Sequence, residues 1–415
     1  KAIVYDDTAF EQLVQTVKLH ALTDPVQVIC DARTFKVAGQ RTEATLLSAG
    51  VDAKTFIVPD QNGKSPICDE TTKNTLNNSL PKTAVMIAVG SGVINDLVKW
   101  VSFERNIPYY VMATAASMNG YAAANVAATV NGVKTLMRAH APLAVFAVPH
   151  IIENAPFEMT ASGLGDALAK PVSSADWRLN QILFDEYYCQ FIVDIVKELE
   201  PGYLDHPEGI KSRDPAAIES LFKTLFYSGV AMTLAGTSSP ASGGEHLLSH
   251  ALDMLSLRDH LDHDLHGRQV GIGTILSAAL YEKLWAQDTV TLTPLSPHVD
   301  AAFWGALTDE VSGHYQQKLK TAATIANRFS NKDAWQKLKQ GLTPFLRSPQ
   351  TIKNCLKIAS AAHQINNIGR YSTDAFTRVW QNCHQLRSRF TILDLAHMAG
   401  IMPVCACDLI KKWVV

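Results

Sequence analysis

Ala84-Val85-Met86-Ile87-Ala88-Val89-Gly90-Ser91-Gly92-Val93-Ile94-Asn95-Asp96-Leu97-Val98-Lys99 is an unbroken apolar run, a glycine turn and the start of a new periodic segment. A short apolar run bounded by turn residues predicts a buried strand, here Ala84–Val89. Gly90-Ser91-Gly92 then turns the chain into a helix that opens at about Val93. The same unit recurs on both sides. Val26–Cys30, Thr55–Val58, Tyr109–Ala113 and Ala144–Val148 read as further buried strands, with Phe35–Ser48 and Ile94–Phe103 as helices between them. Strand and helix in alternation imply parallel pairing through right-handed crossovers. Val126–Val130 and Val133–Met137 depart from this. Their link, Asn131-Gly132, tolerates positive φ and predicts a β-hairpin.

After residue 152 strand signals nearly vanish. Ala175–Leu199 carries Trp177, Leu183, Phe184, Tyr187, Tyr188, Phe191 and Ile195, a pattern that predicts one long buried helix ended by Pro201-Gly202. Pro215–Leu234, Gly244–Leu255, Gly267–Trp285, Ala302–Asn327, Lys332–Gln340 and Asp374–Cys383 also read as helices, and Thr289–Pro297 as a surface excursion. The expected architecture is an α/β N-terminal domain with a parallel Rossmann-like sheet, residues 1–152, followed by an all-α domain, residues 153–415. A chain of 415 residues exceeds what one core usually supports, which agrees with two domains.

With 47% hydrophobic and 18% charged residues, the composition is that of a soluble globular protein. A net charge of -2 offers no basic excess to displace counterions from phosphates, which argues against a nucleic-acid partner. No apolar stretch is long enough to span a bilayer, and no signal-peptide layout is present. The 7 cysteines are scattered without a CxxC pair, so a disulfide framework is not expected and a cytoplasmic, reducing setting fits. Cys405 and Cys407, in an apolar stretch, read as buried thiols.

Two groups of residues carry chemistry. In the first, glycines at Gly90 and Gly92 let backbone approach a pyrophosphate, and the helix N-terminus supplies N–H groups and a positive dipole end. Asn95 stands where a GxGxxG motif has its third glycine, so on this loop alone turn geometry is the better account. Thr114 and Ser117 add hydroxyls at the carboxyl edge of the next strand, where ligands of open parallel sheets bind. Asp31 ends the first strand. It suits a ribose diol, favouring NAD over NADP, or it is simply a turn residue before Arg33.

In the second group, Asp166, His246 and His266 form a zinc-like ligand set of two imidazoles and a carboxylate, leaving a position open for water or substrate. Asp166 shares a helix face with Lys170, and His246 with His250. Spacing alone leaves His250, His260 and His263 as competing ligands.

Taken in order, several segments resemble one family. They are Gly90–Lys99, Thr114–Tyr121, Gly163–Lys170 with Asp176-Trp177, Gly243–His250, Leu265–Gly267 and Arg387–Asp394. The chain is similar to the sn-glycerol-1-phosphate dehydrogenases, within the group that includes glycerol dehydrogenase, iron-type alcohol dehydrogenases and dehydroquinate synthase. This resemblance implies a dehydroquinate synthase-like fold and metal-dependent, NAD(P)-linked interconversion of dihydroxyacetone phosphate and sn-glycerol 1-phosphate. It implies ligation of one divalent ion, zinc before nickel or iron, by Asp166, His246 and His266. His250 becomes a nearby polar or proton-relay residue rather than a ligand. Separately, a basic residue on the metal-site face suggests Lys170, or Lys134 or Arg138, as a phosphate contact. Asp31, Gly90, Ser91, Gly92, Asn95, Asp96, Thr114 and Ser117 match cofactor-contacting positions. The partner is a small phosphorylated triose or polyol, and the assembly a homo-oligomer. One departure bears on the substrate. Asn119 stands where relatives carry Asp, keeping the hydrogen-bonding shape without the charge; Val148 likewise replaces a carboxylate. A polyol dehydrogenase, a cyclase like dehydroquinate synthase, and a metal- and nucleotide-binding protein of little turnover are the competing readings.

Overall fold

Every residue of the second, fourth and fifth strands is buried, as parallel strands covered on both faces require. In this computed structural model, residues 2–20, 24–61, 63–130, 133–262, 264–325, 332–369 and 371–415 are described. The strands are β1 (Ala2–Tyr5), β2 (Val26–Asp31), β3 (Ala53–Val58), β4 (Val85–Gly90), β5 (Tyr109–Ala113), β6 (Asn125–Val130), β7 (Val133–Arg138) and β8 (Ala144–Ala147). Six of them form one parallel sheet in the order β1-β8-β5-β4-β2-β3. Sequence patterning does not reveal β1, whose few residues are too short to carry a period; it pairs with β8 from Ile3 opposite Val145 to Tyr5 opposite Ala147. β6 and β7 pair antiparallel as predicted, Asn125 opposite Arg138; the Asn131-Gly132 turn lies outside the described residues.

The chain groups into two compact units, residues 1–163 with 199–236, and residues 164–198 with 237–415. In the first, Phe10, Leu13 and Val17 of the Ala9–Val17 helix pack with Val28, Ile87, Met112 and Phe146 from the sheet. The Pro215–Ala235 helix also belongs to this unit. Its Gly229 meets the backbone of residues 119–123 so closely that a Cβ would stand 2.7 Å from the Asn119 carbonyl oxygen.

The second unit contains helices and no strand among its described residues. The long helix expected over Ala175–Leu199 is two, Lys170–Phe184 and Gln190–Lys197. Asp185 breaks it at φ 57°, a left-handed conformation that Asp tolerates. The aromatic residues beyond the break fold back: Tyr188 lies 5.0 Å from the Trp177 ring, and Trp177 Nε1 donates to the Tyr187 carbonyl. Pro201 opens a short helix, Pro201–Leu204, rather than only ending one. Ala302–Asn327 is likewise divided, into Ala301–Trp304 and Thr308–Ala323, around Gly305 at φ 55°; Asn327 lies outside the described residues. Thr289–Pro297 is not purely superficial, because its alternation buries Val290, Leu292 and Leu295. Cys405 and Cys407 are partly exposed rather than buried. No helix of the described residues is long and apolar enough to cross a membrane.

Candidate metal centre and nucleotide loop

Asp166 lies near the end of the Phe157–Leu168 helix, His246 in the first turn of Gly244–Arg258, and His266 at the start of His266–Trp285. One ligand atom from each lies within 4.8 Å of the others, and His246 Nε2 is 3.5 Å from Asp166 Oδ1. Missing side chains let the helices come this close. A Cβ on Gly165 would stand 2.0 Å from the Gly267 carbonyl oxygen, and one on Gly273 would stand 2.5 Å from that of Glu245. Glycines beside Asp166 and His266 therefore bring these ligands together. His250 stacks on His266 at 5.7 Å and stands edge-on to His246 at 6.2 Å, beside the trio. His260 is exposed beyond its helix, and His263 lies outside the described residues.

A solitary buried carboxylate would cost several kcal/mol, so Asp166 needs cations. Burial alone would raise its pKa, but the Lys170 ammonium and the two imidazoles outweigh this and hold it well below the usual carboxylate range. Lys170 Nζ sits 3.0 Å from Asp166 Oδ1 and donates to the Ala241 carbonyl at 3.1 Å. Both of these acceptors are the protein's own, and the Lys170 side chain is 4% exposed. Arg138 is exposed; the Lys134 side chain lies outside the described residues.

Behind His246 is a layer that motif spacing does not assign. Glu245, fully buried, accepts from His246 Nδ1 and from Gly243 N, both at 2.7 Å. Asp176 accepts from Tyr281 Oη at 2.6 Å, Gly244 N at 2.8 Å and Ile392 N at 2.9 Å. Burial, then the Glu245 charge, pushes Asp176 up to about 7 against those bonds. Arg389 donates to Ser242 O and to Ser238 Oγ, pinning the loop before the His246 helix. All three residues stand in the matched segments Asp176-Trp177, Gly243–His250 and Arg387–Asp394, but those segments carry no role for them.

In the first unit, Gly90 ends β4 and Ser91 precedes the Gly92–Arg105 helix. The two glycines differ. A Cβ on Gly90 would meet Ile94 Cβ at 2.8 Å, whereas one on Gly92 meets only Met118 Cγ at 3.8 Å. Packing demands the first glycine; the second leaves an open backbone cradle. Asn95, fully buried, donates to the Gly120 carbonyl at 3.3 Å. Asp96 accepts from Lys99 Nζ and from Ala127 N, both at 3.1 Å, and so anchors β6. Thr114 N bonds Gly90 O at 3.2 Å, and Ser162 Oγ donates to Ser117 O, which places Thr114 and Ser117 at the carboxyl edge of β4 and β5. Asp31 Oδ1 caps the following turn through Arg33 N and Thr34 N, both at 2.8 Å. Arg33 reaches Asp60 at 2.6 Å and Asp31 Oδ2 at 3.4 Å.

Among known proteins, the chain is 30% identical to a glycerol-1-phosphate dehydrogenase (NAD(P)+) of Geobacillus stearothermophilus, over 93% of this chain and 89% of that one. It is 33% identical to the enzyme of the same name from Bacillus velezensis, over 73% of this chain and 77% of that one. The chain belongs to the glycerol-1-phosphate dehydrogenase family. Residues 4–156 of this family member also match the iron-containing alcohol dehydrogenase family. A crystal structure of glycerol dehydrogenase from Schizosaccharomyces pombe superposes with a TM-score of 0.63 over 99% of this chain and 90% of that one; at 15% identity it speaks for the fold alone. That fold agrees with the dehydroquinate synthase-like architecture expected of a glycerol-1-phosphate dehydrogenase.

Proposed function

We propose that this protein is an NAD(P)-linked glycerol-1-phosphate dehydrogenase that reversibly reduces dihydroxyacetone phosphate to sn-glycerol 1-phosphate at a divalent metal centre. The observation that carries the reading is the convergence of Asp166, His246 and His266 within 4.8 Å, with Asp166 fully buried. A carboxylate held ionised in that setting suits a cation of higher charge than Lys170 provides. When bound, the metal would act as a Lewis acid toward the substrate ketone while the nicotinamide carries the hydride. The chain's own part is to fix Asp166, His246 and His266 and to keep a proton route at hand. His250, stacked on His266, supplies that route. Zinc fits the ligand set, as do nickel and iron.

Gly92 gives the pyrophosphate a close backbone approach, with Gly90, Ser91, Thr114 and Ser117 around it. Asn95 and Asp96 support the loop from beneath. Asp31 would hold the ribose diol, and NAD is the preferred cofactor, with NADP accepted. Lys170 supports Asp166 and acts in catalysis through it. Asn119 sets substrate preference through a neutral amide where relatives carry a charge. NADH absorbance followed with dihydroxyacetone phosphate, then with dihydroxyacetone, each with and without chelator, tests the whole reading. Chelator-sensitive oxidation with the phosphorylated ketone is the expected result. Preference for the unphosphorylated ketone would make the protein a polyol dehydrogenase, and no oxidation with either would sink the dehydrogenase reading.

A further inference from the structure

An imidazole that ligates through one nitrogen must carry its proton on the other. His246 meets this condition simply. Its Nδ1 faces the buried Glu245 carboxylate at 2.7 Å, and an ionised carboxylate only accepts. The lone pair therefore falls on Nε2, the atom 3.5 Å from Asp166 Oδ1.

His266 has a hydroxyl behind it, Ser249 Oγ, at 2.9 Å from Nδ1, and a hydroxyl can play either role. Ser249 has one hydrogen to give. It lies 2.7 Å from Gln269 Oε1 and 3.5 Å from the His266 carbonyl, and the shorter bond takes it. Ser249 Oγ then accepts from His266 Nδ1–H. We infer that Ser249 and Gln269 are positioning residues that fix His266 as its Nδ1–H tautomer, so that both imidazoles offer Nε2 to one divalent ion. The inference rests on the metal reading above.

Helix periodicity makes the device compact. Ser249 lies one turn beyond His246 on its helix, and Gln269 one turn beyond His266 on the other. The two helices that carry the histidines thus carry the pair as well. Ser249 is fully buried and Gln269 is 1% exposed, so water does not compete for their bonds. A neutral acceptor behind His266 also avoids a third anion beside Asp166 and Glu245.

The test uses full-length protein labelled with 15N-histidine and stripped of metal, whose imidazole shifts report the tautomers. The His266 signals are assigned by their loss in His266→Gln. Zinc affinity is measured by competition with a chromophoric chelator. In the native protein His266 reads as Nδ1–H. Ser249→Ala and Gln269→Leu mix its tautomers and weaken zinc binding about 10- to 100-fold. Ser249→Thr restores both readings, and Gln269→Glu, with acceptors only, keeps the tautomer. An Nε2–H form in the native protein, or an unmixed tautomer with unchanged zinc affinity in Ser249→Ala, overturns the positioning role and leaves the metal site standing. Native protein that binds no zinc, nickel or iron overturns the metal reading itself, and the role of Ser249 and Gln269 with it.

Discussion

A single hydrogen atom in place of a methyl group at Gly165 decides whether Asp166 and His266 can meet. In Gly165→Ala the new Cβ would lie 2.0 Å from the Gly267 carbonyl oxygen, a backbone atom that yields only if a helix moves. Overpacking of this kind costs about 1–3 kcal/mol or more. The expected outcome is a lower melting temperature together with weaker zinc binding, measured by calorimetry and chelator competition. Gly92→Ala makes the contrasting case, since its Cβ meets only Met118 Cγ at 3.8 Å. That variant should melt like the native protein yet bind NADH more weakly in a fluorescence titration. Unchanged NADH affinity would remove Gly92 from the cofactor site. Both glycines are visible in the sequence as motif positions. What they do is not, because the same letter serves a close helix crossing in one place and an open cradle in the other.

At the scale of elements, Lys99 holds the chain between β5 and β6. Its fully buried ammonium donates to Gly120 O at 2.8 Å, Asn125 O at 2.9 Å and Asp96 Oδ1 at 3.1 Å. Lys99→Met keeps the bulk of the stem and removes all three donors; Asp96 is partly exposed, so the cost is that of leaving the buried acceptors unpaired, about 1–3 kcal/mol. Chemical denaturation should show a loss of that order, whereas a loss near zero would mean that the loop is held by packing alone. The sequence displayed Lys99 inside its most telling segment without marking it, since a lysine on a helix normally reads as solvated. The sheet was easier to read, because buried parallel strands are apolar throughout. The Ala175–Leu199 segment was harder. Its aromatic residues keep a helical period across Asp185, and only the return of Tyr187 and Tyr188 to Trp177 reveals the break.

For the molecule as a whole, stability against pH is governed by buried groups far apart in the chain. His384 and His397 stack at 4.0 Å, with His384 Nδ1 on Asp394 Oδ1 at 3.0 Å and Lys318 Nζ on the same carboxylate. Burial lowers the pKa of both imidazoles, His397 the more strongly because its neighbour His384 adds to the effect. A histidine whose folded pKa is depressed stays neutral in the native state while the unfolded chain takes up a proton. Its contribution is full above the unfolded value of about 6.5 and is lost as pH falls below it. Asp176 works in the opposite sense. Burial first, then the Glu245 charge, raises it to about 7, so its contribution is full below about 4 and declines as pH rises to 7. Metal-free protein should therefore lose melting temperature between about pH 6.5 and 5 on account of the histidine pair, with the fall partly offset by Asp176 and by His246, whose pKa Asp166 and Glu245 raise against the effect of burial. His397→Gln keeps a donor for the Gln381 carbonyl, which His397 Nε2 now reaches at 3.1 Å, and removes the titrating ring. Thermal melts of this variant across that range should show a shallower decline than the native protein. An equally steep decline would place the acid-sensitive group elsewhere than in this stack.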